Sequence, residues 1–273
     1  SSIHVQSIIG TIEKIGTKPV GAIGGPPCQG FSRGNCKSYA DDPRNKLPSA
    51  YAKLVSALRE KFDLDFFIFE NVPGIRNARH ADTYNRLKNS FNEAGFILFE
   101  GEIESSRFGV PQIRRRLLLV GINRFKYPTI NFTFPKGRNC SLTVRDVIGN
   151  LPEPVFFSKS LTPDQIPFHK NHWTMVPRSK KFSDNTAAGG RSFRRLSWSE
   201  KSPTVAYGHR EIHVHPNGKR RLSIYEAMLL QGFPKDYWIT GNLSQQVEQV
   251  SNVVPPPVAQ AIAAAIKETI FND

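Results

Sequence analysis

The stretch Asp65-Phe66-Phe67-Ile68-Phe69-Glu70 constrains this chain more than any other. Four apolar residues follow one another without alternation, with a charge at each end. A strand with one wet face alternates apolar and polar side chains, whereas a strand covered on both faces does not. The run therefore predicts a buried strand of the parallel-sheet type, which needs helices on both faces of its sheet. The neighbouring residues supply candidates. Residues 19–24 (Pro-Val-Gly-Ala-Ile-Gly) read as a short buried strand that ends at Gly24-Gly25-Pro26-Pro27. Tyr51, Leu54, Val55 and Leu58 share one face of a helix over residues 51–61. A second helix at about 80–94 carries Tyr84, Leu87 and Phe91 on one face, with Gly95 as its C-terminal cap. Strand-like runs follow at 96–103 and 116–122. Strands alternating with helices predict an α/β sheet with crossover helices.

The character changes after Gly121. Residues 122–200 hold 13 Lys/Arg against 5 Asp/Glu, with many prolines and aromatics, and read as an irregular basic insert. Residues 31–48 read as a long polar loop. Helical patterning returns at 222–230, and Pro255-Pro256-Pro257 opens a helix through Ile270. The net charge of +14 points to an anionic partner, nucleic acid first and a membrane surface second. An apolar share of 39% supports a sizeable core and excludes wholesale disorder. No run approaches the ~18 apolar residues of a spanning helix, and Ser1-Ser2-Ile3-His4 does not open a secretion signal. Cys28, Cys36 and Cys140 form no Cys-x-x-Cys pair. They argue against a disulfide framework or a cysteine-built zinc site, and for a reducing compartment with one reactive thiol. His169, His172, His209, His213 and His215 lack metal-ligand spacing. Trp173 and Trp198 read as packing groups.

Three constellations could carry chemistry. Gly24-Gly25-Pro26-Pro27-Cys28-Gln29-Gly30-Phe31-Ser32 puts a thiol after a tight turn at the carboxyl end of a strand, where open α/β sheets bind ligands. Its bland alternative is a small buried cysteine. Glu70-Asn71-Val72-Pro73-Gly74 puts a carboxyl at the end of a second buried strand, on the same edge if the two are parallel; the alternative is a capping group. Gly109-Val110-Pro111-Gln112-Ile113-Arg114-Arg115-Arg116 leads into an apolar strand. Alternation would give Arg114 and Arg116 one side, suited to phosphates and base carbonyls; the alternative is a solvated basic run.

Pro-Pro-Cys-Gln-Gly-Phe-Ser, Glu-Asn-Val and Gln-x-Arg-x-Arg, in that order and spacing, resemble the cytosine-5 DNA methyltransferases. Further motifs agree with the resemblance. Asp42-x-Arg44-x-x-Leu47 is similar to a connecting motif of the family. Arg195-Leu196-Ser197-Trp198, Ser202-Pro203-Thr204, His215-Pro216, Arg221-Leu222, Glu226-Ala227 and Gln231-Gly232-Phe233-Pro234 resemble the motif after its recognition domain. Gln249-Val250-Ser251-Asn252-Val253-Val254-Pro255-Pro256 resembles its last motif. The resemblance covers roughly 20–121 and 193–268. It implies a Rossmann-like S-adenosylmethionine-dependent methyltransferase sheet, incomplete in this chain, with a small irregular target recognition domain. It also implies a catalytic domain at 1–121, a recognition domain at 122–192 and a return to the catalytic domain at 193–273.

The resemblance further implies a mechanism. Cys28 would add to C6 of a flipped cytosine in double-stranded DNA, making C5 nucleophilic toward the methyl group of S-adenosylmethionine. Glu70 would contact and protonate N3. Arg116 would hold O2, and Arg114 would support a phosphate or the loop carrying Cys28. Pro26, Leu47, Asn252 and Val253 fall at cofactor positions; Gln29, Ser32, Arg44, Arg195, Thr204 and Arg221 fall at DNA positions.

The sequence also departs from the family. A Gly-x-Gly loop normally precedes the cysteine motif, and these residues contain none. A second chain supplying that part is the expectation; a truncated piece and a DNA-binding pseudo-methyltransferase are the alternatives. Ser251 stands where glycine is usual, and Tyr225 where a basic residue is common. An RNA cytosine-5 methyltransferase is a further alternative, which Gly30-Phe31-Ser32 and the sizeable insert disfavour. The expected location is the prokaryotic cytoplasm at the nucleoid, or the nucleus in a eukaryote, with no membrane partner.

Overall fold

A computed structural model describes residues 4–26, 47–184, 193–204, 206–207 and 211–271. The chain divides into two compact units. One comprises Ser1–Ile103, Arg115–Phe134 and Ala265–Asp273; the other comprises Glu104–Arg114 and Pro135–Ala264.

The first unit is an α/β layer. Its strands are β1 (Gly21–Gly24), β2 (Phe66–Asn71), β3 (Phe96–Glu104, whose last residue falls in the other unit) and β5 (Arg115–Asn123), in sheet order β1-β2-β5-β3. The run that reads as a doubly covered strand is β2, central in that order. It lies parallel to β1 and antiparallel to β5. Its crossover from β1 is α2 (Leu47–Phe62), and α3 (Ala81–Glu93) links it to β3. Tyr51, Ala52 and Val55 of α2 and Tyr84, Leu87 and Phe91 of α3 bury one cluster with Phe67, Phe69, Leu117 and Leu119. Phe67 stacks on Phe91 at 4.1 Å between ring centroids. Its register partner is Gly121, where a Cβ would lie 1.9 Å from the Phe67 ring, so only glycine fits there. The Tyr51 hydroxyl donates to the Ile68 carbonyl at 2.8 Å and ties α2 to β2.

Sequence patterning missed α1 (Val5–Ile15), which packs Ile9 against Leu58 and Leu64. Strand β1 lies at one margin of the sheet, and its Ile23 is 75% exposed.

The second unit is built of short pieces. β4 (Gln112–Ile113) pairs in parallel with Ser202–Pro203, and Val155–Phe156 pairs in parallel with Trp173–Thr174. Its helices are α4 (Val144–Ile148), α5 (Lys180–Ser183), α6 (Ile224–Leu229), α7 (Leu243–Asn252) and the opening of α8 (Pro256–Phe271). All six residues of α6 are buried. Its five residues other than Glu226 share a cluster with Val144, Ile148, Ile166, Trp173, Val247 and Val250, so apolar residues of the basic insert and of the motifs beyond it build one core. Of the expected loop at 31–48, residues 47–48 begin α2 and the rest lie outside the described residues.

Candidate active site

Register sets the site. Gly24 is opposite Phe69 in the parallel β1–β2 pair, so Gly25 comes level with Glu70 as both strands end. A Cβ on Gly25 would lie 2.8 Å from Oε2 of Glu70, which means the carboxylate rests against bare backbone. Pro26, the next residue, is buried. Antiparallel β5 begins at the same edge, where Asn71 faces Leu117. Arg116 thereby reaches back to Glu70, with Nε 2.6 Å from Oε1. The two side chains are only 18% and 16% exposed. Burial pushes the Arg116 guanidinium below its ordinary value, and the Glu70 charge opposes that shift.

A carboxylate and a guanidinium side by side offer a planar ring one acceptor or acid and a row of fixed donors. Glu70 thus stands at the carboxyl end of β2 beside Arg116. Cys28, Gln29, Ser32 and Arg44 lie outside the described residues. Leu47 is half-buried at the first position of α2.

Arg114 falls in the break between β4 and β5, where strand alternation does not apply, and it is 2% exposed. Its Nη2 donates to the Ser251 carbonyl at 3.1 Å, within the second unit. Ser251 is helical, so serine in place of glycine carries no left-handed strain; its hydroxyl donates back to the Val247 carbonyl. Asn252 is exposed, and Val253 is extended (φ −64°, ψ 142°).

Arg195, Thr204 and Arg221 are brought together by one segment. Val214 bridges to both Arg195 and Arg221, and the Thr204 carbonyl accepts from His213 Nε2 at 2.7 Å. Arg195 Nε donates to Pro216, and Arg221 Nη1 donates to Ile212. The Arg221 guanidinium also lies over the Phe193 ring at 5.3 Å. Tyr225, the other departure, stacks on His169 at 3.9 Å.

Behind this segment lies a buried network that sequence reasoning missed. Glu226 receives both terminal nitrogens of Arg220, each at 2.9 Å, and the Ser223 backbone N–H at 2.7 Å. The Ser223-x-x-Glu226 capping box is the signal that could have found it.

The histidines of this unit make its stability pH-dependent. Burial is the main cause that depresses the pKa values of His169, His172 and His215, and it lowers that of His213 to about 4. An unfolded histidine takes a proton near its usual ~6.5. Between that value and about 4 the unfolded chain therefore binds more protons than the native one, and stability falls as pH drops. His213 alone contributes a loss of up to about 3 kcal/mol at the acid end. Urea unfolding at pH 7.0 and about 4.5 checks this; equal midpoints would contradict it.

The chain matches the sequence model of the C-5 cytosine-specific DNA methylases over residues 3–268. It is 35% identical over 276 residues to the Type II methyltransferase M.MthTI of Methanothermobacter thermautotrophicus, covering 92% of this chain and 79% of that one. It is 32% identical to the Type II methyltransferase M.NmeDI of Neisseria meningitidis serogroup C, covering 93% and 64%. Among solved structures, a protein described as a DNA modification methyltransferase from an E. coli prophage superposes with a TM-score of 0.72 at 24% identity, over 97% of this chain and 83% of that one. The Entamoeba histolytica methyltransferase EhMeth gives 0.58 at 14%, over 98% and 81%. These two show the fold, a Rossmann-like methyltransferase sheet.

Proposed function

This chain belongs to the C-5 cytosine-specific DNA methylase family, and on that premise we propose that it methylates C5 of a flipped cytosine in double-stranded DNA, with Cys28 as nucleophile. The observation that carries the reading is the Glu70–Arg116 pair at the strand edge beside Gly25, three residues before Cys28. Cytosine presents N3 and O2 side by side, and a carboxylic acid beside a guanidinium matches that edge. Glu70 holds a proton at N3 and Arg116 donates to O2. Together they drain charge from the ring while Cys28 Sγ, as thiolate, bonds to C6. When a base then takes the C5 proton, the C5–H electron pair re-forms the C5–C6 double bond, the C6–Sγ bond breaks and its electron pair returns to Cys28.

S-adenosylmethionine is the methyl donor of the family, and when bound it supplies the electrophilic methyl group that C5 acquires. Each candidate position, taken within its own unit, is compatible with it: Pro26 is buried two residues past the end of β1, and Asn252 is exposed next to extended Val253. The 273 residues include no Gly-x-Gly loop. In this proposal residues of a second chain, or of a further segment, complete the donor's cradle; the marginal position of β1 and the exposed Ile23 support that. Arg195, Thr204 and Arg221 face DNA, and 122–192 serves target recognition. A role in Type II modification and a cytoplasmic location at the nucleoid accompany this reading; no helix among the described residues is long and apolar enough to cross a membrane.

The test is a duplex with 5-fluorocytosine at the target, incubated with S-adenosylmethionine and the complete enzyme. Fluorine cannot leave C5 as a proton does, so a Cys28–DNA adduct should survive denaturing electrophoresis. Turnover without any trapped adduct would overturn the covalent route.

A further inference from the structure

Helix α7 ends in a way its own backbone cannot satisfy. The last four carbonyls of an α-helix lack intrahelical partners. The Val253 N–H serves Gln249 at 3.2 Å. Beyond Val254 come Pro255 and Pro256, which have no N–H to give. Two buried side chains fill the deficit. Gln231 Nε2 donates to the Val250 carbonyl at 2.6 Å, and Arg114 Nη2 donates to the Ser251 carbonyl at 3.1 Å. Gln231 is fully buried and Arg114 nearly so. The positive guanidinium also suits the negative end of the helix dipole. The rest of α7 is pinned too, since Gln246 accepts from Asn171 and from Trp173. Gly232 enforces the turn that buries Gln231, with φ 77° and Pro257 only 2.9 Å from where a Cβ would be.

We infer that Arg114 and Gln231 are positioning residues that lock the C-terminal end of α7, and through it the backbone of Asn252 and Val253. The inference rests on the reading that Asn252 and Val253 contact the methyl donor.

Two measurements test it in Arg114→Met, Arg114→Lys and Gln231→Met. The first is amide hydrogen exchange over 250–254 in this chain. Both methionine variants should exchange there about tenfold faster, the effect of losing a hydrogen bond of ~1.4 kcal/mol, while α2 and α3 stay protected. The second is steady-state kinetics of the complete enzyme. KM for S-adenosylmethionine should rise about tenfold, with kcat and KM for DNA within about threefold. Arg114→Lys should recover part of the loss, because a cation still reaches the carbonyl. Unchanged exchange would overturn the inference, and so would a fall in kcat with KM for the donor unmoved. Should Arg114→Met not fold, Gln231→Met carries both measurements alone. The exchange result stands even if the chain proves not to methylate DNA, so failure of that reading and failure of the lock are distinguishable.

Discussion

Cys28→Ser is expected to lower methyl transfer at least about ten-thousand-fold, the scale seen when a catalytic nucleophile is removed. A cysteine is a few per cent thiolate at neutral pH and intrinsically very nucleophilic, whereas an unactivated serine hydroxyl is neither. Without attack at C6, C5 of cytosine has too little electron density to take a methyl group. Duplex affinity should stay within about threefold, because non-specific DNA binding comes from cation–phosphate contacts that the substitution leaves alone. The two readouts separate the proposal from its rivals. A pseudo-methyltransferase would show no transfer to lose. A structural cysteine would lose stability and DNA binding together. Tritium transfer from labelled S-adenosylmethionine and a filter-binding titration in parallel decide the matter; transfer within about tenfold of the parent would remove Cys28 from the mechanism.

What was legible in the sequence was what is local in it. The unbroken apolar run before Glu70 announced a strand covered on both faces, and parallel pairing with residues 21–24 then put two motif ends on one edge. The neighbourhood of Gly25 and Glu70 followed from that pairing, with Arg116 completing it. Arg114 was not legible in the same way. Alternation predicts a common side with Arg116 only inside a strand, and β5 begins one residue too late. Its acceptor is a backbone carbonyl 137 residues further along, and a carbonyl leaves no trace in residue types. Helix α1 was missed because its start has no side-chain cap at His4 to mark it. The basic insert was read from composition. Composition says how polar a segment is and not what its few apolar residues touch, here Val144, Ile148, Ile166 and Trp173 in a core shared with α6 and α7.

Glu226→Ala should destabilise the second unit by about 3–5 kcal/mol, the range for removing one partner of a buried ion pair. Glu226 is 1% exposed and Arg220 is 3% exposed. The carboxylate answers both terminal guanidinium nitrogens and the Ser223 N–H, and His215 lies 3.8 Å from it. Alanine leaves Arg220 charged and buried with one carboxylate, Glu153, which is itself 71% exposed. The cost comes from the stranded cation more than from the lost attraction. That distinction has its own measurement, because Glu226→Leu combined with Arg220→Met removes both charges at similar volume. The double variant should recover most of the stability, as apolar replacements of buried pairs often do. If it proves as unstable as Glu226→Ala, the network contributes net stability. If Glu226→Ala itself costs less than about 1 kcal/mol, the pair is solvated and the buried account is wrong. The segment at stake, residues 213–221, also carries Arg221 and abuts Arg195. DNA affinity of the double variant therefore reports whether the charges are needed to shape the proposed DNA face or only to fill the space behind it.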